Sequence, residues 1–385
     1  MKFRTEDIMP PPVLRLLREA AEYLGAPDFL NLGQGVPGHV PPKRALAMLE
    51  ERMQHPSVHR YTPDQGLLEL REELALFLRQ NEGIDADPET ELVITAGANQ
   101  ALTGAMLTLL EHGQNVVMPS PYYFNAVMSV HLCGGEVRTM PVDSEFQPSA
   151  EALRKSIDEN TRAVLLISPN NPTGAVYRRD HINEILDACL EHELFLVFDE
   201  SYARLVYDGA EHYSPRSRKD ALDHVVSMGS LSKDFGMSGW RIGYIIGSSA
   251  FVDEFLKFQD SATICAPTAG QMLALEILKS SVDEIEYELK QLGLMRELAY
   301  LRVNDIDALQ TVRTQGTFYL FPRVKGCKDS ESLTSEILRK ASMFVLPGSI
   351  FGEAGEGHIR MSIGPLTQEA VDESFDRLER FFEDY

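Results

Sequence analysis

The stretch 163-AVLLISPNNPTGAVYRRDHINEILDACLEHELFLVFDESY-202 decides how this chain folds. It opens on one apolar run, 163-AVLLIS-168, and closes on another, 194-LFLVF-198, with apolar residues consecutive rather than alternating. Such runs fit strands covered on both faces of a parallel sheet. Between them, 181-HINEILDACLEHE-193 repeats apolar residues at helical spacing, with Ile182, Ile185, Leu186 and Leu190 on one face. Strand, turn, helix and strand in that order predict a βαβ unit.

The same alternation extends on both sides. Further short apolar runs are 91-ELVIT-95, 115-NVVMP-119, 136-EVRTM-140 and 224-HVVSMG-229. The expected fold class is therefore α/β, a mostly parallel open sheet with helices on both faces. From about Val282 the pattern changes to one long helical stretch, EIEYELKQLGLMRELAYL. QGTFYLF, SLTSEILRKA, MFVLPG, HIRMSIG and TQEAVDESFDRLERFF follow it with less regular alternation. That predicts a smaller α+β domain, formed by residues 1–39 with 286–385, beside a large domain over 40–285.

The chain has 385 residues, 44% hydrophobic and 24% charged, ordinary for a globular protein of one or two domains. Its net charge of −22 argues against a nucleic-acid partner, which needs clustered Lys and Arg. Cys133, Cys189, Cys265 and Cys327 are far apart with no C-x-x-C pair, so reduced thiols are expected. The start, MKFRTEDIMPPP, lacks the apolar run of a signal peptide, and no uncharged apolar run reaches about 18 residues. A cytoplasmic protein without membrane contact is the expectation.

Two motifs invite other readings. Gly33, Gly35 and Gly38 in NLGQGVPG form a G-x-G-x-x-G, but HVPP follows where a dinucleotide site needs a helix. Ser230 and Lys233 form an S-x-x-K, as in serine acyl enzymes that recognise penicillin, with Tyr123-Phe-Asn125 a possible companion. That chemistry also wants a K-T-G or K-S-G, which is absent, and a serine that opens a helix, whereas 235-FGMSG-239 reads as loop. It remains an alternative from a different class. The ten histidines are scattered without ligand spacing, so no metal site is expected.

In an open α/β sheet, ligands sit beyond the carboxyl ends of the strands. Reading the residue after each run gives a coherent set. ELVIT leads to Gly97, Ala98 and Asn99, a small-residue turn that opens a helix and suits an anion. NVVM leads to Tyr123, AVLLIS to Asn171, and LFLVF to Asp199 and Tyr202. A carboxylate ending a fully apolar strand is costly unless it meets a cation. The last run leads to Ser230 and Lys233, with Arg241 beyond. One ligand matches the whole rim: a phosphate for the turn, Ser230 and Arg241; a flat ring for Tyr123; a protonated ring nitrogen for Asp199. Its ring oxygen would meet Asn171 and Tyr202, and its aldehyde Lys233. Pyridoxal 5'-phosphate carries all five features.

At this point the sequence resembles the class I/II aminotransferases of fold type I. LGQGVP, YTPDQGLLELREELA, TAGANQAL, PSPYY, SPNNPTG, VFDESY, SLSKDFGMSGWRIGY, QGTFYLFP, PGSIFG and HIRMSIG follow that family's order along almost the whole chain. The resemblance implies that Lys233 is the Schiff-base residue, which later carries a proton between the substrate α-carbon and the cofactor. It implies that Asp199 keeps the ring nitrogen protonated, and that Tyr202 and Asn171 hydrogen-bond the ring oxygen. Arg360 would pair with the substrate α-carboxylate in bidentate geometry, helped by the Gly35 backbone. Tyr61 would reach the phosphate of the neighbouring subunit, so the site would be shared in a homodimer. The implied reaction is transfer between an L-amino acid and a 2-oxo acid, with glutamate and 2-oxoglutarate as one pair. β-Elimination on the same fold is the nearest alternative. Some aspartate-preferring relatives place a lysine where this chain has Asn99, which leaves the substrate side chain open.

Overall fold

The computed structural model describes residues 3–383. Its centre is a seven-stranded sheet. The strands are β1 (Leu92–Thr95), β2 (Asn115–Ser120), β3 (Glu136–Pro141), β4 (Thr161–Ile167), β5 (Phe195–Asp199), β6 (Val225–Ser230) and β7 (Gly243–Ile246). Their order across the sheet is β1-β7-β6-β5-β4-β2-β3, and β7 alone runs antiparallel to its neighbours. The sequence reading passed over β7. Its run, IGYII, is short and follows directly on a loop, so it carries no helix-strand punctuation of its own.

The consecutive apolar runs have the cause inferred for them. Along β2 and β4, Val116, Met118, Ala163 and Leu165 pack on one face of the sheet, while Val117, Val164 and Leu166 pack on the other. Successive side chains point to opposite faces, and here both faces are covered by helices. Edge strand β3 is the exception, largely exposed, and its sequence EVRTMP is accordingly more polar. One covering helix is α1 (Ala98–Leu109), and another is α2 (Phe124–Leu132). The βα unit predicted around 181–193 is α3 (Arg179–Glu191), which buries Ile182, Ile185 and Leu186 and leaves Leu190 half-buried.

The long helix α4 (Val282–Asn304) starts where the pattern change placed it. Beyond it, Tyr319–Leu320 and Leu346–Pro347 both pair antiparallel with Ile359–Ser362. Leu30–Asn31 pairs in parallel with Met343–Phe344, which ties an N-terminal segment to this later region. Arg302 on α4 holds Asp372 of the last helix, Gln368–Glu383, at 2.9 Å. All four cysteines are free. No helix among the described residues is long and apolar enough to cross a membrane.

Candidate active site

The carboxyl ends of β1, β4, β5 and β6 open onto one cavity of about 420 Å³. Gly35, Ala98, Asn99, Tyr123, Asn171, Asp199, Tyr202, Ser230, Lys233, Arg241 and Arg360 all line it. Gly97 is not among the lining residues. Tyr61 does not join this chain's own cavity; it is 77% exposed. Lining residues that strand-end reading missed include Ser201, Ser238, Asn125 and Tyr319.

Lys233 sits in a one-turn helix, Leu231–Asp234, which Ser230 caps by accepting from the Ser232 N–H at 3.0 Å. The loop expected after Lys233 does follow, but the serine does open a helix, contrary to expectation. Ser230 nevertheless makes no hydrogen bond to Lys233, whose ammonium instead donates to the Gly35 carbonyl. A serine without its base is a weak nucleophile, so the geometry does not assemble the acyl-enzyme pair. Burial, then Arg360 and Arg241, push the Lys233 amine down to about 8. A larger share of it is therefore neutral and nucleophilic near neutral pH than for a solvated lysine.

Asp199 ends β5 and is buried at the cavity wall. Both hydrogen bonds that its carboxylate accepts from the described residues, from the Ser201 N–H at 2.9 Å and hydroxyl at 2.6 Å, end on Oδ1. Burial raises its pKa above the ordinary carboxylate range, and the two Ser201 bonds offset that only in part. No cation of the described residues pairs with it, so a positively charged ring nitrogen beside it would be stabilised. Tyr123 is pushed up to about 12, chiefly by burial, and burial also raises Tyr202 well above a free phenol. Both phenols remain protonated donors.

Arg360, on the strand Ile359–Ser362, is 3% exposed. Its Nη1 donates to Asn171 Oδ1 at 3.0 Å, its Nη2 donates to the Gly33 carbonyl, and its buried Nε has no partner. No carboxylate of the described residues forms an ion pair with it. A buried, unpaired guanidinium costs several kcal/mol, and an incoming carboxylate removes that cost by offering two oxygens to the fork.

The fit to a phosphate is made at the start of α1. Gly97 precedes that helix with φ +86°, and no side chain caps the helix. Arg241, with φ +57°, turns back so that Nη2 donates to the Ala96 carbonyl at 3.3 Å and Nη1 to the Ser238 carbonyl at 3.0 Å. A Cβ on Gly97 would overlap Arg241 Nη2. An uncapped helix start, a guanidinium and the hydroxyls of Ser230 and Ser232 suit a phosphate dianion. Gly97→Ala is expected to displace Arg241 and to cost about 1–3 kcal/mol of backbone strain. Thermal unfolding and the dissociation constant for pyridoxal phosphate would measure it; both unchanged would mean that Gly97 serves the turn alone.

The structure also brings together Glu82, Glu200 and His212, whose ligand atoms lie within 4.8 Å of one another. Sequence spacing gave no hint of this group because its members come from separate elements. His212 Nε2 meets Glu200 Oε2 at 2.7 Å, and Ser214 donates to Glu200 Oε1 at 2.9 Å.

Residues 27–378 match the family described as aminotransferase class I and II. The chain is 34% identical over 379 residues to "aromatic-amino-acid aminotransferase 2" of Thermococcus litoralis, covering 97% of this chain and 96% of the relative. It is equally similar, 34% over 379 residues with the same coverage, to an aspartate aminotransferase of Pyrococcus abyssi. The solved aspartate aminotransferase of Thermotoga maritima superposes with a TM-score of 0.92 at 30% identity, covering 100% of both chains.

Proposed function

The chain belongs to the class I and II aminotransferases, a pyridoxal-phosphate-dependent family, and we propose that it transfers an amino group from an L-amino acid to a 2-oxo acid through Lys233. Glutamate and 2-oxoglutarate form one substrate pair in this reading. The observation that carries it is the buried, unpaired Arg360 in one cavity with Lys233 and Asp199.

When bound, pyridoxal phosphate supplies an aldehyde and an electron-withdrawing ring. Lys233, as a neutral amine, would hold the group by its aldehyde carbon, and when free the same amine would move the proton at the substrate α-carbon. Asp199 holds a proton on the ring nitrogen. Tyr202 and Asn171 bind the ring oxygen, and Tyr123 packs against the ring. Gly97, Ala98, Asn99, Ser230 and Arg241 hold the phosphate. Arg360 and the Gly35 backbone orient the α-carboxylate, which sets the α-hydrogen toward Lys233. Tyr61 reaches the partner's phosphate in a homodimer, a role supported by its exposure away from its own cavity. The division into 40–285 and 1–39 with 286–385 belongs to the same proposal, supported by the pairing of Leu30–Asn31 with Met343–Phe344.

The cations lining the cavity are Lys233, Arg241 and Arg360, each already given a task. Among the lining residues without a task so far are Val13, Val36, Phe124 and Asn125. A large uncharged side chain fits that lining better than an acidic one, whose desolvation would go unanswered. Single-turnover mixing with a panel of amino donors tests both statements. Aromatic donors should bleach the bound chromophore and yield one equivalent of pyridoxamine phosphate, faster than aspartate does. Pyruvate and ammonia released without an oxo-acid acceptor would assign elimination instead.

A further inference from the structure

Two phenols meet at the back of the cavity. Tyr202 lies just beyond β5, and Tyr319 opens the short strand Tyr319–Leu320. Their oxygens are 2.9 Å apart and their rings pack edge to face, with centroids 5.7 Å apart. Both side chains are buried. The ring of Tyr319 also lies beneath the Arg360 guanidinium, 4.4 Å from its centroid. Gly35 leaves room for the Tyr319 hydroxyl, which a Cβ there would overlap, and its carbonyl accepts from Lys233. Tyr319 therefore touches Tyr202, Arg360 and Gly35 at once.

Each phenol has one proton to donate. If Tyr202 gives its proton to a ligand in the cavity, the bond between the two oxygens must be donated by Tyr319. A phenylalanine at 319 would serve packing alone, and burying a hydroxyl there is unfavourable unless the hydroxyl is used.

We propose that Tyr319 is a positioning residue for amino transfer: its hydroxyl donates to Tyr202 and so aims the Tyr202 proton into the cavity, while its ring face holds Arg360 in place. This rests on the reading of the cavity as a pyridoxal phosphate site. The charged and titratable groups that face the pair are Arg360 and Tyr123.

The test titrates the visible absorbance of the full-length, cofactor-loaded protein with pH. A hydrogen bond donated to the cofactor's ring oxygen makes the nitrogen held at Lys233 less basic, so weakening it moves the midpoint upward. Tyr319→Phe should raise the midpoint by roughly half to one pH unit, the size of one hydrogen bond. In a Tyr202→Phe background the same substitution should leave the midpoint where it was. Tyr319→Leu, which also removes the ring, should in addition raise KM for the amino donor roughly 10-fold through loss of the cation–π contact; Tyr319→Phe should not. An unchanged midpoint in Tyr319→Phe, or equal shifts in both backgrounds, overturns the proposal and leaves Tyr319 as packing. A wild-type chain that gains no visible band with pyridoxal phosphate overturns the cofactor reading itself, and Tyr319's role with it.

Discussion

Lys233→Ala is expected to lose amino transfer by roughly 10⁴-fold, since one side chain is asked both to capture the aldehyde and to carry the α-proton. Its setting already favours both tasks. Burial and the fields of Arg360 and Arg241 bring the amine down to about 8, while Asp234 opposes them. Capture needs the neutral amine, so the rate at which apoprotein takes up pyridoxal phosphate should rise through about pH 8 and level off above it. An ordinary solvated lysine would still be gaining above pH 10. Borohydride reduction followed by peptide mapping should place the cofactor on residue 233 in the wild type. Turnover within ten-fold of wild type in Lys233→Ala, or an unmodified residue 233 after reduction, would refute the assignment. The variant should fold normally, because a half-buried amine held by one carbonyl bond contributes little to stability.

What was legible in the sequence follows from what is local. A strand covered on both faces must be apolar at successive positions, and AVLLIS and LFLVF say so without reference to anything distant. Once an open sheet is inferred, residues just past those runs must gather at one rim, so Asp199, Tyr202, Ser230 and Lys233 could be grouped from their places alone. Contacts that depend on how separate segments lie against each other left no such signal. Tyr202 and Tyr319 are 117 residues apart, and Arg360 reaches a carbonyl 327 residues away, at Gly33. Tyr319 stood in a quoted motif, QGTFYLFP, yet nothing in its neighbours says that its hydroxyl finds another phenol. The same holds for Gly97: small residues before a helix suggest an anion site, but only the fold shows Arg241 filling the space a side chain would take. Ser230 as a helix cap was misread because a single turn of helix followed by Gly and Ser looks like loop throughout.

Asp199→Ala separates electronic from structural work at the second pole of the cavity. As a structural residue Asp199 is a poor investment: burial disfavours its charge, and no cation of the described residues answers it. Its removal leaves the Ser201 N–H and hydroxyl without their acceptor, a loss of about 1–3 kcal/mol. That loss is offset by not burying a carboxylate, so the melting temperature should move only slightly. Turnover should respond very differently. If Asp199 holds a proton on the ring nitrogen as proposed, its loss would remove the group that keeps the ring electron-withdrawing when the α-proton leaves. Removal of one preorganised electrostatic partner of this kind costs on the order of 10²–10³-fold in kcat. KM for the amino donor should change little, because the proposal gives the α-carboxylate to Arg360 and the Gly35 backbone, and Arg360 makes no hydrogen bond to Asp199. Asp199→Asn keeps the Ser201 contacts but not the charge, and should fall with Asp199→Ala in kcat while matching the wild type in stability. If Asp199→Asn instead turned over like the wild type, the carboxylate's charge would have no part in the chemistry, and its place at the end of an apolar strand would need another cause.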